Sequence, residues 1–179
     1  MSILQTFDPG GTEIIRPQQL VAKPEHFPEV LVSAFSQSVT EIAAGLSGAA
    51  QIDELRAGMS LPIIGLRWGG KTIGVYQSLV GGAASAGLLE EVLAKGAKKV
   101  VFFGSCGALD ETATAGSLVV PTAAYRDEGT SYHYMWKGSK RLRWSAAASA
   151  VRSRIRLPKS CIIWAPRCTP SWASAARIW

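Results

Sequence analysis

The chain has 179 residues, 47% of them hydrophobic, with 19 Lys+Arg against 13 Asp+Glu and a formal net charge of +6. That length suits one domain with a sizeable core, and that hydrophobic share excludes a disordered chain. No run approaches the roughly 18 uninterrupted apolar residues of a membrane helix, and three cysteines (Cys106, Cys161, Cys168) are too few for a disulfide scaffold.

The first 25 residues carry Asp8, Glu13 and Glu25 and no apolar stretch, which argues against a secretory signal. A reducing, cytoplasmic setting is the expectation. Residues 1–26, punctuated by Pro9, Gly10, Gly11, Pro17 and Pro24, read as an extended lead-in. Val30, Leu31 and Val32 predict a first strand. Residues 36–46 place Val39, Ile42, Ala43 and Leu46 at helical spacing, with Gly48 as a stop. Residues 62–68 and 72–80 are β-prone runs. Gly69-Gly70 between them is hairpin chemistry. Residues 83–95 predict a helix with Leu88, Leu89, Val92 and Leu93 as its apolar stripe and Gly96 as its C-cap. Glu91 is expected to pair with Lys95 one turn on.

Residues 98–103 form a continuous apolar run after two lysines, the pattern of a strand buried on both faces. Gly104-Ser105-Cys106-Gly107 ends it. Residues 117–123 predict another strand, with Pro121 near its end. A polar, charged and aromatic stretch follows over 125–134. Strand, helix, buried strand and glycine turn is α/β order, with a mixed central sheet flanked by helices.

The composition breaks near Tyr134. Residues 1–134 hold 9 Lys+Arg and all 13 acids, a net of −4. Residues 135–179 hold 10 Lys+Arg, no acid, and five of the six tryptophans (Trp136, Trp144, Trp164, Trp172, Trp179), a net of +10. A basic, Trp-bearing tail could bind nucleic acid through phosphate contact and base stacking. The abrupt loss of acids is better read as a segment translated out of frame, expected to pack loosely. Nucleic acid is therefore not the expected partner.

Residues 65–72 match the phosphate-loop pattern G-x-x-x-x-G-K-S/T. An NTPase needs that loop between a strand and a helix, and residues 73–77 look like a strand, so the hairpin reading is preferred. Val80-Gly81-Gly82-Ala83-Ala84-Ser85 runs from strand into helix, where small residues let an anion reach backbone amides. The alternative is a tight, closely packed turn. Gly104-Ser105-Cys106-Gly107 follows the most apolar strand, where open α/β sheets place ligands. Cys106 reads as a structural thiol, since no base adjoins it in sequence. Two histidines, His26 and His133, without CxxC or HExxH spacing, make a metal site an unsupported reading. Arg126, Asp127 and Glu128 read equally as a solvated charge run or as site residues beside Gly129-Thr130-Ser131.

Taken in order, residues 80–85, residues 104–109 with the strand before them, and residues 126–134 resemble the nucleoside phosphorylases of the uridine and purine nucleoside phosphorylase superfamily. The resemblance covers about residues 28–134. It implies a three-layer α/β sandwich and reversible cleavage of a nucleoside N-glycosidic bond by phosphate, a pentosyl transfer. It also implies nucleoside and phosphate as small-molecule partners, no cofactor beyond phosphate as co-substrate, and a homo-oligomer. Gly81, Gly82, Ser105, Cys106 and Gly107 would line the phosphate and ribose pocket, with Arg126 as a further candidate. No residue is assigned as catalytic.

The chain departs from the family in three places. Phe102 stands where members often carry arginine. Ala34-Phe35-Ser36 stands near the family's glycine-and-arginine phosphate loop. Nothing after Tyr134 resembles the half that would read the base, grip the ribose and protonate the leaving group. The expectation is a truncated family member with impaired or no catalysis.

Overall fold

The computed structural model describes residues 14–105, 118–119, 123–125, 129–134, 141–143 and 161–164. A single helical turn, α1 (Pro17–Leu20), precedes β1 (Val30–Ala34) and α2 (Gln37–Ala44). Then come β2 (Ala50–Arg56), β3 (Ser60–Trp68), β4 (Lys71–Gln77), α3 (Gly82–Lys95) and β5 (Lys99–Gly104). Short strands β6 (Leu118–Val119), β7 (Ala123–Tyr125), β8 (Arg141–Arg143) and β9 (Cys161–Trp164) follow, with a 3-10 turn at Thr130–His133. Among the described residues no helix is long and apolar enough to cross a membrane.

Among the described residues seven strands form one mixed sheet in the order β2-β3-β4-β1-β5-β9-β6. β1 runs parallel to both neighbours, with Val32 opposite Val75 on β4 and Val101 on β5. β2, β3 and β4 are joined by antiparallel hairpins. The expected α/β fold with a mixed sheet is the observed one.

Strand alternation divides the core into two layers. Leu31, Leu61, Ile63, Tyr76, Val100 and Phe102 face one side, where they meet Leu88 and Val92 of α3. Val32, Ile64, Leu66 and Val75 face the other side and pack with Val39 and Ala43 of α2. On α3 the predicted stripe holds. Leu88 and Val92 are fully buried one turn apart, and Leu89 and Leu93 flank them. Gly96 ends the helix at φ +124°, a conformation that L side chains rarely adopt, and Ala97 N–H closes back on the Val92 carbonyl at 3.0 Å. Gly69 and Gly70 have φ of 56° and 76°, so the β3–β4 turn needs left-handed backbone at both positions.

The structure differs from the sequence reading in several places. β2 was not foreseen: Ala50–Arg56 carries two acids, is bulged between Gln51 and Asp53, and buries only Leu55. It is held by pairing with β3 and by contacts from α3. Those contacts also replace the expected Glu91–Lys95 pair. Lys95 Nζ meets Asp53 Oδ2 at 2.9 Å, and Glu91 accepts from the Arg56 amide at 3.2 and 3.3 Å. Both side chains reach across to β2 because α3 packs over that end of the sheet. β5 buries Val100 and Phe102 and leaves Val101 and Phe103 half-buried, so its two faces are not equivalent. Of the predicted strand at 117–123, Leu118–Val119 is a strand, and Ser117 and residues 120–122 lie outside the described residues. β8 and β9 fall in the segment expected to pack loosely. β9 pairs antiparallel with β5, Phe103 opposite Ile163.

One core contact is electrostatically poor. Ser33 and Tyr76 are direct partners in the β1–β4 register, both fully buried, and among the described residues neither hydroxyl makes a well-formed hydrogen bond. Burial pushes the Tyr76 phenol up to about 12, with the Ser33 hydroxyl opposing that rise. Tyr76→Phe is expected to raise the unfolding free energy by about 1 kcal/mol, because an unpaired buried hydroxyl is removed without loss of ring packing. The raised pKa sets a sign as well: stability tied to the neutral phenol is intact below pH 10 and lost as pH rises from 10 through about 12. Urea midpoints at pH 7 and pH 11 check both points. A lower midpoint for the variant at pH 7 would show that the hydroxyl is satisfied.

Candidate functional site

The site follows from how two neighbouring strands are connected. β1 and β4 are parallel and adjacent, and each leads into a helix at its carboxyl end. α2 packs against the Val32–Val75 face and α3 against the Leu31–Tyr76 face. Adjacent parallel strands whose connections leave to opposite faces open a crevice at their carboxyl ends, the usual ligand position in open α/β sheets. β5, on the other side of β1, ends at the same edge with Gly104 and Ser105.

Backbone bonds fix the three segments that meet there. Ser78 N–H donates to the Ala34 carbonyl at 2.8 Å, and Phe35 N–H to the Phe103 carbonyl at 2.9 Å. Gly81, the N-cap of α3, lies at φ +116°, ψ 141°. A Cβ there would meet nothing within 4 Å, so glycine is demanded by the backbone angle and not by crowding. α3 has no side-chain cap, which leaves its first amides and the positive end of its dipole facing the edge. Gly104 is the opposite case. A Cβ there would come 3.1 Å from the Phe35 ring, which also stacks on Phe102 at 6.0 Å.

Among the described residues Gly81, Gly82 and Ser105 follow strands that end at one edge of the sheet. Cys106, Gly107 and Arg126 lie outside the described residues. Sequence reasoning missed Ser78, which donates toward Ser85 Oγ at 3.3 Å, and the Phe35 ring over Gly104. Ser78 is legible in hindsight: it shares the parity of Tyr76 and therefore faces α3. No charged side chain stands at Ala34–Ser36, Gln77–Gly82 or Gly104–Ser105. Here an anion is offered amides, hydroxyls and a helix dipole.

Two other sequence features find their places. Lys71 opens β4 at the hairpin, at the end of that strand remote from Gly81. The phosphate-loop match is a β-turn, as the preferred hairpin reading expected, and its amides do not converge with a helix N-terminus. The 3-10 turn at Thr130–His133 packs on α3, and the Tyr134 hydroxyl donates to Glu90 Oε1 at 2.8 Å. Burial, together with the Glu90 carboxylate, pushes the Tyr134 phenol upward.

This is a mixed α/β sheet whose described switch-point edge carries no charged side chain. Residues 29–175 match the model of the phosphorylase superfamily, and the chain belongs to that family. The matched range passes the composition break at Tyr134. Among solved structures, the chain is similar to uridine phosphorylase from Vibrio fischeri ES114, with 22% identity over 76% of this chain and 54% of that one, TM-score 0.54. It is also similar to purine nucleoside phosphorylase from Toxoplasma gondii in complex with immucillin-H, with 18% identity over 73% and 51%, TM-score 0.54. The chain thus spans about half the length of these solved structures, and the likeness establishes the fold. No curated protein matches the sequence.

Proposed function

We propose that this chain carries the phosphate and pentose side of a nucleoside phosphorylase site. The supporting observation is the shared carboxyl edge of β4, β1 and β5, where the segments holding Gly81, Gly82 and Ser105 leave the sheet. Phosphorolysis moves a pentosyl group from base to phosphate through an oxocarbenium-like sugar. The attacking anion must be held close beneath that sugar by fixed donors, and backbone amides at a helix N-terminus suit the task. Cys106, Gly107 and Arg126 belong to the same pocket in this reading.

Turnover of uridine or inosine by this chain alone is expected to be weak or absent. The described edge offers neither a cation to balance the phosphate nor an acid to protonate a departing base. The homo-oligomeric state and cytoplasmic setting belong to the same proposal. So does the reading of residues 135–179 as an appended or out-of-frame segment, which rests on composition alone and which the coding DNA decides.

The test is binding of inorganic phosphate and ribose 1-phosphate, with uridine and inosine phosphorolysis assayed in parallel. Gly81→Ala is expected to weaken phosphate binding by about tenfold, since a side chain at φ +116° is strained by about 1–3 kcal/mol and shifts the turn. Failure of the wild-type chain to bind either anion would remove the proposal. Ordinary enzyme rates with either nucleoside would overturn its prediction of weak turnover.

A further inference from the structure

Phe35 leaves the end of β1 at the carboxyl edge of the sheet, and its ring is fixed there by β5. Its N–H donates to the Phe103 carbonyl at 2.9 Å, which ties its backbone to the neighbouring strand. Its ring stacks on that of Phe102, which is buried, with 6.0 Å between centroids and 26° between planes. A Cβ on Gly104 would come 3.1 Å from the ring and 3.3 Å from Phe35 Cβ. The ring thus lies over a strand end that any side chain would crowd. Phe35 nevertheless stays 38% exposed.

A ring held in this way loses little freedom when a ligand covers it, so the apolar area it gives up to the ligand counts nearly in full. Charge narrows what that ligand can be. No charged side chain stands at Ala34–Ser36 or Gly104–Ser105. A cation would find a ring but no carboxylate beside it, and an anion would lose water against an apolar surface. A neutral, planar heteroaromatic ring gains from stacking on a phenyl face and keeps its polar edges free for water.

We infer that the Phe35 ring is a stacking plate for the nucleobase, which makes Phe35 a base-binding residue of this site. This assignment rests on the nucleoside reading above and goes past it. That reading gives the chain the phosphate and the pentose, and the Phe35 ring adds a contact to the base. Every nucleobase has a flat face, so the plate holds a pyrimidine or a purine alike. It is built from the ends of β1 and β5 and owes nothing to the Gly81-Gly82 turn.

Uracil, hypoxanthine and inorganic phosphate, each titrated separately into the full chain, test this in wild type, Phe35→Leu and Phe35→Tyr. In the wild type the carbon-bound base protons should shift upfield on binding, the ring-current signature of a base stacked over a phenyl face. Phe35→Leu keeps apolar bulk and loses the π face, so it should weaken base binding about tenfold and abolish the upfield shift. Phe35→Tyr keeps the ring and should stay within about threefold of wild type. Phosphate affinity should stay within about twofold in both variants, because the anion is held elsewhere on the edge. Base affinity unchanged in Phe35→Leu overturns the inference, as does base binding without the upfield shift. Equal loss of base and phosphate affinity in Phe35→Leu also overturns it, since the ring is then a structural support. A wild-type chain that binds phosphate but neither base overturns the inference and leaves the phosphate reading standing. One that binds a base with the upfield shift but no phosphate supports the plate and removes the phosphate reading. One that binds none of the three overturns both.

Discussion

Leu88→Ala should lower the unfolding free energy by about 3 kcal/mol, within the roughly 2–5 kcal/mol span of large-to-small core changes. Leu88 is fully buried on α3 and lies in the same cluster as Leu31, Ile63, Tyr76, Val92 and Val100. Those residues come from four strands and a helix, so the surroundings have little freedom to collapse into the space left behind. Ile42→Ala on α2 is the control. It removes the same class of side chain, but Ile42 is 67% exposed, and its effect should stay within about 0.5 kcal/mol. Urea denaturation of both variants measures the difference. Equal losses would mean that α2 is covered by something outside the described residues.

Asp53→Ala should be nearly as damaging, at about 3 kcal/mol, for a different reason. Lys95 is 9% exposed at its side chain, and its ammonium meets Asp53 Oδ2 at 2.9 Å. Removing the carboxylate strands a buried cation, and that penalty exceeds the strength of the bond itself. Asp53 is the more accessible partner, and its Oδ1 also accepts from the Glu54 amide at 2.8 Å. Lys95→Met should therefore cost less, about 1–2 kcal/mol. The double variant should recover much of the Asp53→Ala loss, because no buried charge then lacks its partner. Simple additivity of the two single effects would show that Lys95 finds another partner or water.

Whatever depended on local chemistry was legible before the structure. Leu88, Leu89, Val92 and Leu93 announce a helix because 3.6-residue periodicity is the condition for burying one stripe. Gly69-Gly70 announces a hairpin because both turn positions require positive φ. Gly81-Gly82 was singled out because a strand-to-helix turn of small residues admits an anion, and the turn did emerge at the sheet edge. β2 could not be read. Its acids and its bulge violate strand propensity, and the hydrogen bonds to β3, the burial of Leu55 and the bonds from Lys95 and Glu91 of α3 hold it extended.

The sequence by itself determined the α/β order, the core face of α3, the hairpin that excludes a phosphate loop at Lys71, and the small-residue turn at Gly81-Gly82. Each depends on neighbours within a few residues. The tertiary structure alone decided that β1 lies between β4 and β5 and that α2 and α3 cover opposite faces. It also decided that Lys95 pairs with Asp53 and not with Glu91. The strand pairings of β1 and the Lys95–Asp53 pair join residues more than 40 apart, and all of these contacts are set by which surfaces can be buried together. The crevice exists only because of them.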